Sequence, residues 1–211
     1  MEINKIYNED CLETMKRMDD NSIDLILTDP PYGVGYEYNQ YDDTKDNLKK
    51  LVNMFMPEAL RVAKRVVLTC GNGNQHIYPE PTWTMAWVIS AGAGQNKWGF
   101  TCWQPILCYG KDAYRQNRMG ARPDIIQSNE RSEKLAHSCP KPTKFWTTLL
   151  QRNSVKETDL VYDPFIGSGT TAVACINKNR NFIGSEISKE YCDIANKRID
   201  LINPNHNADN H

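Results

Sequence analysis

Four successive residues, Asp29, Pro30, Pro31 and Tyr32, combine functional side chains with a constrained backbone. Two prolines in a row fix the backbone and remove two amide donors, so carbonyl oxygens and one carboxylate remain as a rigid group of acceptors beside an aromatic ring. Such a group suits a planar amine, because each amino hydrogen could bond to an acceptor, Asp29 or the Pro30 carbonyl, while Tyr32 stacks on the attached ring. The alternative is that Asp-Pro-Pro forms only a turn before a helix.

A glycine-rich segment, residues 163–171 with the sequence Asp-Pro-Phe-Ile-Gly-Ser-Gly-Thr-Thr, is the second candidate site. Its glycines would let the backbone approach a ligand closely, and the start of the helix that follows favours negative groups. The segment lacks the lysine of a phosphate-gripping loop, which disfavours hydrolysis of nucleoside triphosphates. Glu186 lies 19 positions after Gly167, at the end of the next predicted strand, where an acidic side chain can bind ribose hydroxyls. The two features together predict a site for an adenosyl group.

Both segments follow short apolar runs, which alternate along the chain with longer amphipathic segments. The predicted strands are residues 23–28, 65–70, 160–162 and 181–184, and the predicted helices are residues 11–18, 46–63, 143–151, 170–177 and 189–202. This alternation predicts an α/β, Rossmann-like fold in which helices cover both faces of a mostly parallel sheet. Ligands bind at the carboxyl ends of the strands in such a sheet, so the two candidate segments should meet there.

Residues 98–136 depart from this alternation. Two β-prone runs on either side of Trp103-Gln104-Pro105 predict a hairpin at the edge of the sheet. Apolar periodicity is weak over residues 111–136, which predicts a long loop or a small insertion, and long irregular segments in compact domains are often functional. We expect residues 1–202 to form a single domain and the polar residues 203–211 to form a disordered tail.

The composition indicates a globular protein in water, since 40% of the 211 residues are hydrophobic and 24% are charged. No stretch has the roughly 18 uninterrupted apolar residues that a membrane span needs, and the first residues lack the features of a secretory signal. We therefore expect no membrane association and a cytoplasmic location. The seven cysteines include no Cys-x-x-Cys pair and have no partner histidines at zinc spacing, which predicts reduced thiols and no metal site.

The net charge of −1 argues against a protein that coats nucleic acid through bulk electrostatics. The charge is uneven, however, since residues 111–144 carry eight basic and four acidic side chains. This segment could form a patch that faces phosphates, or a solvated loop of mixed charge. Five tryptophans could act as stacking platforms, although core packing is the expected role for most of them; they are Trp83, Trp87, Trp98, Trp103 and Trp146.

In their order, these motifs resemble those of amino-group DNA methyltransferases of the β arrangement, in which Asp-Pro-Pro-Tyr precedes the Phe-x-Gly-x-Gly cofactor loop. The matching blocks are residues 8–12, 29–32, 141–142, 163–171 and 184–186, and the resemblance extends over residues 3–202. It implies S-adenosylmethionine as the cofactor, DNA as the partner and methyl transfer to an exocyclic amino group. Aspartate rather than serine at position 29 favours adenine as the target, with the amine of cytosine as the alternative.

The resemblance also implies roles for individual residues. The catalytic set is Asp29, Pro30, Pro31 and Tyr32, and the cofactor-binding set is Asp10, Cys11, Asp29, Lys141, Asp163, Phe165, Gly167, Gly169, Thr170 and Glu186. Asp10 and Cys11 should lie against the adenine of the cofactor, and Glu186 should hold its ribose. Lys141 should lie near its methionine carboxylate. Residues 137–142, His-Ser-Cys-Pro-Lys-Pro, depart from the family's His-Pro-Thr-Gln-Lys-Pro at three positions, so this lysine could instead be a surface residue before a helix.

A base inside a duplex cannot reach such a pocket, so the target base should flip out or be single stranded. Members of the family carry a distinct target-recognition region, whereas the candidate here, residues 111–136, is short. Sequence specificity could be slight, or it could come from a partner or a homodimer. The family also suggests a restriction-modification role. The open alternatives are transfer to RNA or to a protein glutamine amide, and a non-catalytic subunit that binds nucleic acid for a partner.

Overall fold

The computed structural model describes residues 1–38, 40–92, 94–130 and 140–203. Within these residues the strands are β1 (Lys5–Tyr7), β2 (Leu25–Thr28), β3 (Arg65–Thr69), β4 (Trp83–Val88), β5 (Gln95–Asn96), β6 (Gly99–Phe100), β7 (Trp103–Gly110), β8 (Ile125–Gln127), β9 (Leu160–Asp163) and β10 (Asn181–Ser185). The helices are α1 (Cys11–Lys16), α2 (Lys45–Val62), α3 (Ala113–Gln116), α4 (Thr143–Asn153), α5 (Thr170–Ile176) and α6 (Lys189–Ile202).

In the described part of the chain, eight strands form one sheet in the order β1-β10-β9-β2-β3-β7-β4-β8, and β5 pairs with β6. All strands of the large sheet except β7 point the same way. The chain passes from β9 through α5 to β10, and from β2 through α2 to β3, in opposite directions along the sheet. The boundary between β9 and β2 is therefore a topological switch point, where open α/β sheets form a ligand crevice at the carboxyl ends of the strands.

Helices cover both faces of the sheet because alternate residues of a strand point to opposite sides. Leu25 and Leu27 of β2 pack with residues of α4, α5 and α6, whereas Ile26 packs with residues of α1 and α2. All four residues of β2 are buried, which explains why its sequence is a continuous apolar run. The predicted α/β fold, with a mostly parallel sheet between two layers of helices, is confirmed.

The predicted hairpin within residues 98–110 is wrong. Strand β7 is continuous and lies between β3 and β4, inside the sheet rather than at its edge. Proline is tolerated in this inner strand because Pro105 lies opposite Ala86, whose amide donates to the carbonyl of Asp124 on the other side. The pairing of β7 with β3 ends at Ile106, so the missing amide of the proline interrupts neither ladder.

The segment predicted as a long loop or small insertion contains regular structure. Helix α3 lies near its start, and β8 extends the sheet parallel to β4. The apolar periodicity is weak because β8 is short and only its central residue, Ile126, is buried. Residues 131–139, and residues 204–211 of the predicted tail, lie outside the described residues. No helix in the described ranges is both long and apolar enough to cross a bilayer.

Candidate functional site

The carboxyl ends of four neighbouring strands bring the predicted motifs together. Asp29 follows β2, Asp163 ends β9, Glu186 follows β10, and Asp10 lies three residues after β1. A cavity of about 220 Å³ opens between them. Its lining includes most of the predicted residues: Asp10, Cys11, Asp29, Pro31, Lys141, Asp163, Phe165, Gly167, Thr170 and Glu186. Two motifs separated by more than a hundred residues in sequence therefore share one cavity.

The carboxylate of Asp29 accepts hydrogen bonds from three side chains. The Tyr32 hydroxyl donates to Oδ1 over 2.6 Å, and the hydroxyl of Thr69, at the end of β3, donates to the same oxygen. Lys141 Nζ donates to Oδ2 over 2.6 Å. These donors fix the carboxylate in one orientation, so a substrate amine could bond to it only by sharing an oxygen or displacing a donor. Sequence reasoning did not find Thr69, because it comes from a strand with no recognisable motif.

The ring of Tyr32 is half-buried and does not line the cavity. On one side lies Gly71, where a Cβ would come within 2.9 Å of the ring, and Lys141 Nζ lies 4.9 Å from the ring centroid. Burial raises the pKa of the Tyr32 phenol well above its ordinary value, so the hydroxyl remains a donor at neutral pH. A base could stack on this ring only after the lysine has moved.

Asp163 is buried and holds the turn between β9 and α5. Its carboxylate accepts from the Thr28 hydroxyl over 2.6 Å, from the Phe165 amide over 3.0 Å, and from the Thr171 hydroxyl. Burial raises its pKa to about 7, although these donors oppose the shift. The Thr28 bond joins the end of β2 to the end of β9, so it ties the two motif-bearing strands together at the switch point.

Glu186 fixes the glycine loop to the end of β10. Its carboxylate accepts from the amide of Gly167 over 2.9 Å and from the amide of Ser188 over 2.8 Å. Burial raises the pKa of this carboxyl above its ordinary value. Gly167 has a φ of +52°, a conformation that glycine adopts without steric cost. The acidic side chain and the glycine turn, which the sequence predicted as one site, are in direct contact.

Three of the predicted residues do not line the cavity. Pro30 is buried and Tyr32 is half-buried, and neither is among the residues around the cavity. Gly169 has a φ of +84°, and a Cβ there would lie 2.9 Å from the Cβ of Ala195 in α6. This glycine therefore permits close packing of α5 against α6. Its predicted role in lining the cofactor pocket stays a prediction, since Gly169 is not among the residues around the cavity.

Three tyrosines on the loop after β2 line the cavity and were missed by sequence reasoning: Tyr36, Tyr38 and Tyr41. The rings of Tyr36 and Tyr38 lie 4.7 Å apart. Buried Asp43 holds this loop by accepting from the amides of Gly33 and Tyr36. The Tyr41 hydroxyl is buried and has no hydrogen-bond partner within the described part of the chain. Three tyrosines within one span of six residues, shortly after a proline-rich turn, were the signal that could have revealed them.

The expectation that most tryptophans pack in the core was wrong. Trp87 and Trp146 are buried, and Trp87 stacks on Phe145 with ring centroids 3.9 Å apart. The other three are exposed by 61%, 99% and 45% of their surface; they are Trp83, Trp98 and Trp103.

One cysteine, Cys11, is in the cavity lining. The described cysteines are free thiols, and burial raises the pKa of Cys11 to about 12, so it is not a thiolate at neutral pH. Among the described residues, no three histidine, cysteine, aspartate or glutamate side chains converge as the ligands of a metal would.

Comparison with known proteins identifies relatives along the whole chain. The profile of a family described as DNA methylase (N6_N4_Mtase) matches residues 75–197, which include Lys141 and the glycine loop but begin after Asp29. The type II methyltransferase M.HpaI of Haemophilus parainfluenzae is 30% identical over 93% of this chain and 74% of its own length.

Solved structures show the same architecture. The complex of M1.HpyAVI with SAM superimposes with a TM-score of 0.62 at 26% identity, covering 92% of this chain and 98% of the other. The PvuII DNA methyltransferase, described as cytosine-N4-specific, gives a TM-score of 0.68 at 16% identity and covers 96% and 92%. At that identity the second similarity concerns the fold alone.

Proposed function

Because the chain belongs to the family of N6/N4 DNA methylases, which transfer a methyl group from S-adenosylmethionine to an exocyclic amine, we propose that its target is adenine within a specific DNA site. One observation carries the proposal: Asp29 and the glycine loop with Glu186 open onto the same cavity. A methyl acceptor and an adenosyl group could therefore lie side by side. Holding two reactants in such proximity accelerates transfer by removing translational and rotational freedom.

The acceptor part of the site addresses the poor nucleophilicity of the amine. The lone pair of an exocyclic amine is delocalised into the base, so it must be localised before it attacks a methyl group. Hydrogen bonds from the amino hydrogens to Asp29 and to the carbonyl of Pro30 would favour a pyramidal nitrogen. The carboxylate would then stabilise the positive charge that develops during transfer. A carboxylate is too weak a base to deprotonate the amine beforehand, so the proton leaves after the methyl group has arrived.

The donor part of the site fits S-adenosylmethionine, which supplies an activated methyl group when bound. Glu186 offers carboxylate oxygens for ribose hydroxyls, and Phe165 offers an aromatic ring beside the glycine loop. The buried hydroxyl of Tyr41, without a partner among the described residues, has capacity for a further hydrogen bond to a ligand. Asp10 and Cys11 lie in the same lining, where we propose that they contact the adenine of the cofactor.

Lys141 connects the two parts. Its ammonium group bonds to Asp29 in the structure, and we propose that it holds the methionine carboxylate when the cofactor is present. A lysine side chain has several rotatable bonds and can exchange one carboxylate for another. Its departure would free one oxygen of Asp29 and uncover one side of the Tyr32 ring for stacking of the target base.

Cytosine is the second candidate target, because its exocyclic amine presents the same chemistry and a fold of this kind is found in a cytosine-N4-specific enzyme. Aspartate at position 29 favours adenine by resemblance only. We further propose that the base is flipped out or single stranded when methylated, and that a partner or a second copy adds sequence specificity. We also propose that the protein acts on DNA in the cytoplasm.

The test incubates the protein with methyl-labelled S-adenosylmethionine and unmethylated plasmid DNA, then digests the DNA to nucleosides for mass spectrometry. We expect label on adenine, and a fall of about 100-fold or more with Asp29→Ala. The matched control is Asp46→Ala, which removes a solvent-exposed aspartate from α2. Label on cytosine would move the target, and calorimetric binding of the cofactor without label on DNA would favour RNA, a protein substrate or a missing partner.

A further inference from the structure

Strands β4 and β7 continue beyond the sheet as a hairpin, here termed the aromatic hairpin, of which the structure describes residues 89–92 and 94–102. The amide of Ile89 donates to the carbonyl of Cys102 over 2.8 Å, and the amide of Thr101 donates to the carbonyl of Gly94 over 2.8 Å. Strands β5 and β6 then pair as its outer part, with Lys97 and Trp98 at the turn. The described residues therefore form a hydrogen-bonded hairpin beyond the ends of β4 and β7.

The aromatic hairpin lies at the end of the sheet where the parallel strands have their carboxyl ends and where the cavity opens. Strand β4 points the same way as β2 and β3, so its carboxyl end, where the hairpin begins, is at the edge where Asp29 lies. The side chain of Asn72 donates to the carbonyl of Trp103 at the base of the hairpin over 2.8 Å. The adjacent Gly71 packs on Tyr32. The base of the hairpin is thus connected to the catalytic motif by two contacts.

The hairpin exposes large aromatic side chains. Trp98 is 99% exposed, Phe100 is 76% exposed, and Trp103 at the base is 45% exposed. Exposed apolar patches on the surface of a protein in water often mark interaction sites. Flat aromatic rings suit nucleic-acid bases in particular, because every base offers a face on which to stack.

The charge of this region fits the same partner. No acidic residue occurs between Glu80 and Asp112, although the chain contains 26 acidic residues. Lys97, at the turn, adds a positive charge. The hairpin can therefore approach a phosphate backbone without the repulsion that a carboxylate would cause.

We propose that the aromatic hairpin enters the DNA duplex beside the target base, with Trp98 stacking on the bases that the target leaves behind and Lys97 contacting a phosphate. The inference rests on the proposed function, since only a base that leaves its stack creates this vacancy. Side chains that wedge between bases in this way compensate for part of the lost stacking. The hairpin would thereby favour the extruded base, while the cavity receives it.

The first test measures contact without methyl transfer. Duplex plasmid DNA is titrated into the protein with S-adenosylhomocysteine, and tryptophan fluorescence is recorded. We expect quenching in the wild type, and loss of at least half of that quenching in Trp98→Phe. The matched control is Trp83→Phe, because Trp83 is also exposed but lies at the start of β4, at the opposite edge of the sheet. Equal quenching in wild type and Trp98→Phe would overturn the proposal.

The second test separates extrusion from chemistry by comparing methyl transfer to duplex DNA and to the same DNA after heat denaturation. For Trp98→Ala we expect about a tenfold lower rate on the duplex, as for one lost stacking contact, and a rate within twofold of wild type on denatured DNA. Trp83→Ala should match wild type on both. An equal loss on both forms, or no loss on the duplex, would contradict the proposal. If the wild type labels no DNA, the proposed function fails, while the fluorescence titration still decides whether the hairpin contacts DNA.

Discussion

The two halves of the sheet differ in how tightly their side chains are held. In the first half, formed by β1, β10, β9, β2 and β3, the cavity carboxylates are held by hydroxyl, amide or ammonium donors, and Gly71, Gly169 and Gly184 lie close against neighbouring side chains. In the second half, formed by β7, β4 and β8, aromatic rings project into solvent and several glycines have open space around them. The first half therefore holds the side chains of the cavity in fixed positions, whereas the second half exposes side chains to solvent. A substitution of one kind should therefore have unequal effects in the two halves.

Glycine substitution should show the largest contrast. Gly169→Ala must place a Cβ 2.9 Å from Ala195 at a φ of +84°, so we expect a loss of about 3 kcal/mol in the free energy of unfolding. Gly120→Ala, at a φ of +77° with no atom within 4 Å, should lose about 1 kcal/mol. Urea denaturation of both variants measures the difference, and equal losses would remove the distinction between the halves.

Lysine substitution should separate the two binding functions. Lys141→Met should weaken S-adenosylhomocysteine binding by about 10- to 100-fold, because a hydrogen bond between two charged groups is lost. It should leave the affinity for methylthioadenosine, which lacks the carboxylate, unchanged. Lys97→Met, in the aromatic hairpin, is the control that should weaken DNA binding and spare both ligands. Calorimetry would sink the assignment of Lys141 if both ligands lost affinity equally.

Thr69→Val tests whether the hydroxyl from β3 positions the Asp29 carboxylate. Valine has the same shape but cannot donate, so we expect kcat to fall about tenfold while the Kd of the cofactor stays within twofold. Thr84→Val, on the exposed surface of β4, should leave both unchanged. A fall in thermal stability with an unaltered kcat would mean that the Thr69 hydroxyl supports only the fold.

Asp163 should make the free energy of unfolding depend on pH. Its pKa is raised by burial to about 7, so between pH 4 and 7 the folded protein retains a proton that the unfolded chain has lost. The stabilisation from this proton is full below the pKa of the unfolded state and is lost as the pH rises through 7. Over that range the free energy of unfolding falls by up to about 1.4 kcal/mol per pH unit. Asp163→Asn should flatten this slope, whereas Asp124→Asn, exposed before β8, should not. A slope unchanged in the first variant would contradict the raised pKa.

The sequence predicted four of the five strands in the first half of the sheet, because β2, β3, β9 and β10 are almost entirely buried. Strand β1, in which only Ile6 is buried, was not predicted. Short apolar runs such as that of β2 are typical of strands buried on both faces, and the motifs follow them directly. The meeting of Asp29 with Glu186 in one cavity also followed from the rule that parallel strands end at one edge.

The second half was predicted poorly because its strands lack a continuous buried, apolar sequence. Strand β4 alternates exposed and buried residues, β8 has one buried residue, and Pro105 lies within an inner strand. Their pairing depends on neighbours distant in sequence, which local patterns do not record. Of the three donors to Asp29, Thr69 was missed likewise, since it is 40 positions away and nothing in its own segment marks it.

The switch point between β9 and β2 also bears on how such a chain can be rearranged. Each motif belongs to its own strand and following helix, and the cavity depends on the adjacency of the two strand ends, joined by the bond from Thr28 to Asp163. No step in forming that cavity requires the segment with Asp29 to be synthesised before the segment with Gly167. A circularly permuted gene that encodes the two units in the reverse order should specify the same catalytic pocket, so motif order records genetic history and not chemical necessity.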